Sequence, residues 1–261
     1  RMNCGVRRIS TSNGRVTGVI TEDEEEIGAD WILSNADTIA TCRDMIGPEQ
    51  VPSSFFTHLQ SSEVAASTIN VYLGVARTAE ELGFSEHEIF VNAGYDADRH
   101  YELMKTITPP EAIAATCYNV VHPEISPPGT SIVVLTALAF GEPWTQVPPS
   151  EYVATKNRMA DAMIDLAEEI VPGLRTYAEV VEVSTPLTNM RYANALGGSI
   201  YGFSQPPRDH MAWRMDYKGP LDRLYFAGAW TQPGGGFEPT MMSGVRAGRS
   251  ISYKAKKQEG V

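Results

Sequence analysis

Three consecutive glycines near the end of the chain have the composition of an anion-binding turn. Gly234–Gly236 follow a short apolar segment at residues 224–227 and precede a segment rich in small residues at 240–248. This order predicts a strand, a turn that few side chains could follow, and a closely packed helix. Such a turn exposes backbone N–H groups at a helix N-terminus, where their partial positive charge suits a phosphate, a carboxylate or an electron-rich ring oxygen. The sequence therefore predicts an anion-stabilising turn with no catalytic side chain of its own.

The segment around this turn resembles a flavin-contacting motif. Residues 223–237 read RLYFAGAWTQPGGGF, which is similar to the C-terminal motif of FAD-dependent phytoene desaturases, carotenoid isomerases and retinol saturases, within the amine-oxidase superfamily. Two further segments match this group in the same order. They are residues 14–37, which include ADWILSNAD, and residues 184–202, which run from STPLT to GGSIYG. On these three segments the chain is identified as a member of this group.

The resemblance implies that the turn contacts the ring of an FAD cofactor. Desaturation and saturation both move a hydride between carbon and flavin N5, while negative charge gathers at N1 and the neighbouring carbonyl. Backbone N–H groups of the turn are suited to stabilise that charge, and the cofactor performs the chemistry. The cofactor-binding residues implied are Gly228, Ala229, Pro233, Gly234, Gly235, Gly236, Phe237, Thr240 and Ser243.

No catalytic side chain is assigned from the sequence. Arg191 and Tyr192 are candidates because they lie where the group approaches the flavin, at a predicted strand end. Glu238 is a third candidate. Members close to phytoene desaturases usually follow the glycine turn with a small apolar residue, Pro and Gly, whereas this chain has Phe237-Glu238-Pro239, which could put a carboxylate near the ring. Asp209 and His210, in a predicted loop, form a further possible proton-transfer pair. The five histidines show no metal-ligand spacing, and no metal site is predicted.

The nucleotide-binding part of an FAD domain is missing from the chain. Proteins of this group open with a strand, a G-x-G-x-x-G turn and a helix that bind the pyrophosphate, followed by an acidic residue for the ribose. The sequence contains no such fingerprint. We therefore expect the chain to be roughly the C-terminal half of a flavoprotein that lacks the N-terminal half of its FAD domain. Alone, it is expected to bind FAD weakly or not at all and to be inactive.

The resemblance implies an α/β fold, in detail α+β, divided into three parts. Residues 1–37 are predicted to end the FAD-binding domain. Residues 38–215 are predicted to form a substrate domain, with a largely antiparallel sheet and flanking helices. Residues 216–261 are predicted to return as the C-terminal, flavin-contacting piece of the Rossmann-like FAD domain.

The residue pattern predicts the elements that carry these parts. Runs rich in β-branched and aromatic residues, bounded by turn residues, predict strands. Methionines at helical spacing predict a helix that begins near Ser150 as its cap and ends at Pro172-Gly173. The methionine stripe is expected to be core rather than the lining of a lipid pocket. The predicted strands are residues 16–21, 26–34, 68–75, 88–93, 113–121, 131–140 and 177–183, and a first helix is predicted over 36–46 with a stop at Gly47-Pro48.

The amino-acid composition and net charge of the chain argue against some classes of function. A net charge of −11 and a pI near 4.9 argue against nucleic-acid binding. No apolar run reaches the roughly 18 residues of a membrane-spanning helix. The three widely separated cysteines indicate reduced thiols and a cytoplasmic protein. A lipid-like substrate makes peripheral membrane contact possible, with Lys254, Lys256 and Lys257 as the residues that could touch anionic headgroups.

Two functions from different classes remain open. The first is a flavin-dependent oxidoreductase that desaturates, saturates or isomerises a long apolar, polyene-like substrate of carotenoid or retinoid type. An amine-oxidase-type flavoenzyme is a variant of it, although such enzymes tend to carry an acid where Ala229 stands. The second is a non-catalytic lipid- or prenyl-binding module, since Rab escort and GDP-dissociation-inhibitor proteins share this architecture. The glycine turn favours the first, and a native lack of the nucleotide fingerprint would favour the second.

Overall fold

A computed structural model describes residues 1–207 and 213–259 of the chain. Two compact units make up the fold. Unit 1 consists of residues 1–65, 194–196 and 200–261, and unit 2 of residues 66–193 and 197–199. Asp209 and His210, the possible proton-transfer pair, lie outside the described residues.

Unit 1 is built on two small sheets and a long C-terminal helix. The order β1-β2-β3 is antiparallel throughout, whereas β4 and β10 pair in parallel. The predicted hairpin is confirmed as β2 and β3, but residues 32–34 leave it to form β4 in the other sheet. The elements of unit 1 are β1 (Val6–Ser12), β2 (Arg15–Thr21), β3 (Glu26–Gly28), β4 (Ile32–Ser34), α1 (Thr38–Ala40), a π-helical turn (Thr41–Ile46), a 3-10 turn (Pro48–Gln50), α2 (Ser53–Ser61), β10 (Leu224–Phe226) and α8 (Phe237–Glu259).

The first predicted helix is present as α1 and the π-helical turn that continues it. The Asp37 carboxylate accepts hydrogen bonds from Ile39 N at 2.7 Å and Ala40 N at 3.1 Å, which satisfies N–H groups that the helix leaves unpaired. The helix stops at Gly47, whose φ of 103° is a conformation that favours glycine. Both ends therefore follow from local side-chain and backbone chemistry.

The core of unit 1 joins segments from both ends of the chain. Cys42, Ile46 and Leu59 are buried in the same apolar cluster as Leu224 and Phe226. Because this cluster holds residues 38–61 in unit 1, the structure has no break at the predicted boundary between residues 37 and 38. The predicted boundary at 215/216 likewise falls inside unit 1. The compact units thus follow the cores, and the division into an FAD-domain end, a substrate domain and a flavin-contacting piece stays a prediction.

Unit 2 is a five-stranded sheet with helices. Its strands are ordered β6-β7-β8-β5-β9, and every neighbouring pair is antiparallel, which confirms the predicted mixed α/β fold with a largely antiparallel sheet. The elements are β5 (Ser67–Val75), β6 (Glu88–Asn92), α3 (Ala97–Leu103), β7 (Ala112–Cys117), 3-10 turns (Tyr118–Val120 and Pro123–Ile125), β8 (Ser131–Ala139), α4 (Gly141–Thr145), α5 (Pro149–Glu168), α6 (Leu174–Tyr177), β9 (Ala178–Ser184) and α7 (Pro186–Ala193), and a further 3-10 turn spans Leu196–Gly198.

Helix α5 covers one face of this sheet. Met159 and Met163 are at most 1% exposed and belong to the same core as Ile69, Val71 and Leu135, so the methionine stripe is core, as predicted. The predicted cap at Ser150 is wrong. The helix already begins at Pro149, where a residue without an N–H group leaves one fewer donor to satisfy.

Two other details of the predicted elements are wrong. The strand predicted to reach Val121 ends at Cys117, because residues 118–120 turn into a 3-10 helix. Arg191 and Tyr192 lie in helix α7 rather than at a strand end. Among the described residues, none of the helices combines the length and apolar character needed to cross a bilayer.

Candidate functional site

The predicted turn begins where β10 ends, at Gly228. Its φ is 95°, and a Cβ atom at this position would collide with Asn35 Oδ1. The Gly228 N–H donates to Ser243 Oγ at 2.7 Å, and that hydroxyl donates to the Thr240 carbonyl at 2.5 Å. The fully buried Ser243 side chain therefore ties the start of the turn to the first turns of α8.

Each glycine of the triplet is required either by the atoms around it or by its backbone conformation. A Cβ atom at Gly234, whose φ is 128°, would collide with the amide nitrogen of Gln205. A Cβ atom at Gly235 would lie 2.5 to 2.9 Å from atoms of Tyr201, including its Cα. Gly236 has a φ of 113°, which residues other than glycine rarely adopt. The triplet is therefore a fitted turn rather than a generic flexible loop.

The turn leaves backbone donors unused at the start of a long helix. The N–H groups of Gly234, Gly235 and Gly236 find no acceptor among the described residues. Helix α8 begins directly afterwards and runs for 23 residues, so its positive end lies at the turn. Unpaired N–H groups next to a helix N-terminus suit an anion or a ring carbonyl that gains negative charge. The residues present therefore fit the ring of a flavin.

The remaining predicted cofactor-binding residues divide into exposed and supporting ones. Phe237 is 89% exposed at the first position of α8. The Thr240 hydroxyl donates back to the Gly236 carbonyl at 2.8 Å, so it stabilises the turn from within. Ala229 and Pro233 are half-buried in the segment between Gly228 and the triplet. These placements leave the predicted contacts with a cofactor as predictions.

The three candidate catalytic residues are all exposed, and they belong to different units. Glu238 is exposed in the first turn of α8, where a carboxylate is favourable next to the helix N-terminus. Arg191 and Tyr192 are exposed residues of unit 2, with the guanidinium carbon 5.4 Å from the tyrosine ring centre. Lys254, suggested as a headgroup contact, lies over the rings of Trp31 and Tyr225.

Sequence reasoning missed Arg214, a residue of unit 1 that is only 4% exposed. Its guanidinium donates to the carbonyls of Ala229 at 2.6 Å and Thr231 at 3.2 Å, both in the segment that leads to the triplet. An arginine between Trp213 and Met215 belongs to no motif, and only the folded structure shows its acceptors.

A family model covers nearly the whole chain. Residues 1–252 match the family described as flavin containing amine oxidoreductase. The chain belongs to this family. Its members are flavin-dependent oxidoreductases, so the predicted superfamily and the FAD cofactor that it implies are confirmed at the level of the family.

Curated relatives point to the carotenoid branch. A lycopene-forming phytoene desaturase of a Paracoccus species is 25% identical over 255 residues, which are 94% of this chain and 48% of the relative. Chloroplastic prolycopene isomerase of Arabidopsis thaliana is 24% identical, over 95% of this chain and 40% of the relative. The 4,4'-diaponeurosporene oxygenase of Staphylococcus haemolyticus is 25% identical, with 94% and 48% coverage. The chain spans about half the length of these relatives.

Solved structures share the fold. An oxidoreductase from Methanosarcina mazei superposes with a TM-score of 0.55 at 17% identity, covering 92% of this chain and 48% of that structure. A redesigned putrescine oxidase gives a TM-score of 0.53 at 12% identity, with 86% and 42% coverage. At these identities the likeness concerns the fold alone.

Proposed function

We propose that this chain carries the flavin-ring turn and a substrate-binding unit of an FAD-dependent oxidoreductase. Its substrate is proposed to be a long apolar, polyene-like molecule that is desaturated, saturated or isomerised. The observation that carries the proposal is the fitted glycine turn with its three unpaired N–H groups. The curated relatives, which are named for carotenoid substrates, support this substrate class over an amine.

The proposed role of the turn is electrostatic. Bound FAD supplies the hydride chemistry in enzymes of this type. The N–H groups of Gly234–Gly236 stabilise negative charge on the ring, helped by the partial positive charge at the start of α8. Ser243 and the glycine at position 228 hold this turn against the helix. No side chain of the turn needs to gain or lose a proton.

The open face of the five-stranded sheet supports an apolar substrate. The strand register places Tyr72, Phe90, Leu138 and Val180 on the face opposite α5. These side chains are 43 to 70% exposed, which is unusual for large apolar groups on one sheet face. Burial of this face by an elongated hydrocarbon would remove the exposed apolar surface from water. We propose that it binds the substrate.

The same face also carries polar side chains. Glu182 lies opposite Tyr72, the Thr116 hydroxyl donates to Glu88 at 3.2 Å, and a cluster surrounds Asn70. Asn70 Oδ1 accepts from the Thr136 hydroxyl at 2.9 Å, and Asn70 Nδ2 donates to the hydroxyls of Thr68 and Ser184 at 3.1 Å each. These bonds satisfy the amide inside the protein, so the cluster adds little polarity to the proposed substrate surface. Binding of an apolar ligand would therefore not bury the Asn70 amide without hydrogen-bond partners.

The nucleotide-binding part of the FAD domain is proposed to lie outside these 261 residues. The parallel pair of β4 and β10 supports this, because parallel sheets occur almost only with more strands and with both faces covered. The exposed Leu33 of β4 and the exposed Met241 and Val245 of α8 offer apolar surface that such a part would cover. We accordingly propose that the chain alone binds FAD weakly and is inactive.

Flavin content tests the proposal. The product of the complete gene and this chain are purified side by side, and their absorbance is recorded between roughly 350 and 500 nm, where bound flavin absorbs. A yellow complete protein and a colourless chain are the expected result. Two colourless proteins would contradict the redox function and leave a lipid-binding module, which binding of a fluorescent polyene to the complete protein would then test.

A further inference from the structure

Arg214 makes an unusual set of hydrogen bonds for a buried arginine. Besides the carbonyls of Ala229 and Thr231, its guanidinium donates to the carbonyls of Tyr201 at 3.2 Å and Ser204 at 3.3 Å. One guanidinium can donate to four backbone carbonyls because its N–H groups form a planar fork, which only arginine has. Burial of such a cation is costly unless its donors are satisfied, so these bonds fix its position firmly.

The four carbonyls belong to the two segments that shape the glycine turn. Ala229 and Thr231 lie on the chain that enters the triplet. Tyr201 packs against Gly235, and the residue after Ser204, Gln205, fills the space beside Gly234. The guanidinium therefore joins the two segments from a single buried point.

A second residue strengthens this connection from the opposite side. The Gln232 side chain donates to the Arg214 carbonyl at 2.8 Å, and the Gln232 N–H donates to the Met215 carbonyl at 2.9 Å. The backbone around Arg214 is thus bound to the turn as closely as its side chain. The turn can move only if this reciprocal set of bonds breaks.

We propose that Arg214 is the positioning residue of the flavin turn. By holding the carbonyls of residues 201, 204, 229 and 231, it keeps the N–H groups of Gly234–Gly236 free and directed toward a ligand. The identity of that ligand rests on the proposed function, but the positioning role does not. A lysine has one ammonium group on a flexible stem and cannot reach all four carbonyls at once.

Hydrogen exchange measured by mass spectrometry on this chain tests the positioning role without a cofactor. Arg214→Met is compared with Arg214→Lys and with Arg223→Met. Arg223 is the matched control, because it is an arginine of unit 1 with a largely buried side chain that bonds Asp30 and Gln258 instead of the turn.

Arg214→Met is expected to speed exchange in peptides covering residues 228–232 by at least about tenfold, because the N–H groups of Gly228, Thr231 and Gln232 are hydrogen-bonded in the wild-type structure and lose their support when the charge-assisted bonds are lost. Arg214→Lys should give an intermediate rate, and Arg223→Met should leave this region unchanged. Exchange in β1 and β2, which belong to the same unit as Arg214, serves as the reference for intact folding. Wild-type rates at residues 228–232 in a folded Arg214→Met or Arg214→Lys protein would overturn the proposal.

The visible spectrum and the FAD affinity of the complete gene product distinguish positioning from a merely structural role. If Arg214 served only to keep the protein folded, both would stay unchanged in a folded variant. The Arg214→Lys protein, folded by circular dichroism, is expected to bind FAD about tenfold more weakly than wild type and to show an altered flavin absorption band. A wild-type spectrum and affinity in this variant would contradict the proposal. If wild-type protein takes up no FAD, the proposed function fails, and the exchange experiment still decides the role of Arg214.

Discussion

At the scale of single residues, the glycines of the turn and those of helix α8 have opposite surroundings. A Cβ atom at Gly235 would lie 2.5 Å from the Tyr201 ring, whereas a Cβ atom at Gly244 meets nothing within 4 Å. Gly235→Ala is therefore expected to destabilise unit 1 by about 1–3 kcal/mol through overpacking. Gly244→Ala should stabilise the helix by about 0.5–1 kcal/mol.

The contrast is measured by urea unfolding of both variants. Equal stabilities of Gly235→Ala and wild type would show that Tyr201 moves aside without cost, and the triplet would then be a flexible loop after all. Gly244→Ala is the matched control, because it adds the same methyl group to a helical position with open space. In the complete gene product, Gly235→Ala should lower the FAD content, whereas Gly244→Ala should leave it unchanged.

The thiol of Cys42 makes the free energy of unfolding of unit 1 depend on pH. Burial raises the pKa of its thiol to about 12, and the nearby Asp37 adds to the effect. The pKa of the Cys42 thiol in the folded state lies above the unfolded value of 9.0. Its contribution to the free energy of unfolding is therefore complete below pH 9 and is lost as the pH rises toward 12. The free energy of unfolding of unit 1 is expected to fall by up to about 1.4 kcal/mol per pH unit in this window.

Urea unfolding of wild type and Cys42→Ala between pH 7 and 11 checks this dependence. The difference between the two proteins isolates the thiol from the lysines and tyrosines that titrate in the same range. It should shrink as the pH rises above 9. Cys4→Ala, which alters a cysteine that is only partly buried, should keep the wild-type alkaline fall. A constant difference between wild type and Cys42→Ala would contradict the buried, protonated thiol.

At the scale of elements, the strands with regular side-chain alternation were predictable and the irregular ones were not. Residues 68–75 and 131–140 are rich in β-branched residues, and the structure places β5 and β8 there within one residue. Strand β1 was missed because VRRISTS is mostly polar. Its pairing with β2 decides its structure, and such pairing overrides local propensity.

The candidate site shows the same limit. The glycine turn and the helix after it could be predicted, because glycine at positive φ and small residues at a helix start have few other uses. Arg214 could not, because its four acceptors are backbone carbonyls, which every residue possesses. The resemblance made Arg191 and Tyr192 site candidates, and they were expected at a strand end, whereas Pro186 starts a helix that contains them.

At the scale of the whole molecule, the two units differ in how the chain builds them. All five strands of the larger sheet lie within residues 66–199, together with the buried methionines of α5 and the core that they share. Unit 1 instead needs both ends of the chain, because β4 pairs with β10 and the Val16 N–H donates to the Asp222 carbonyl at 3.2 Å. Unit 2 is therefore contained in one stretch of chain, interrupted only by residues 194–196 of unit 1.

Residues 66–199, produced alone, are accordingly expected to fold and to melt in one cooperative transition, since a segment of this size with its own core can fold by itself. Circular dichroism during heating measures this, and residues 1–65 are the control that should show no such transition. Met163→Ala should lower the stability of the segment by about 2–5 kcal/mol, because Met163 is fully buried. A segment that melts without cooperativity, or that tolerates Met163→Ala at no cost, would show that its core forms only with the rest of the chain. A folded segment would allow binding of a polyene to the open sheet face to be measured separately from any flavin.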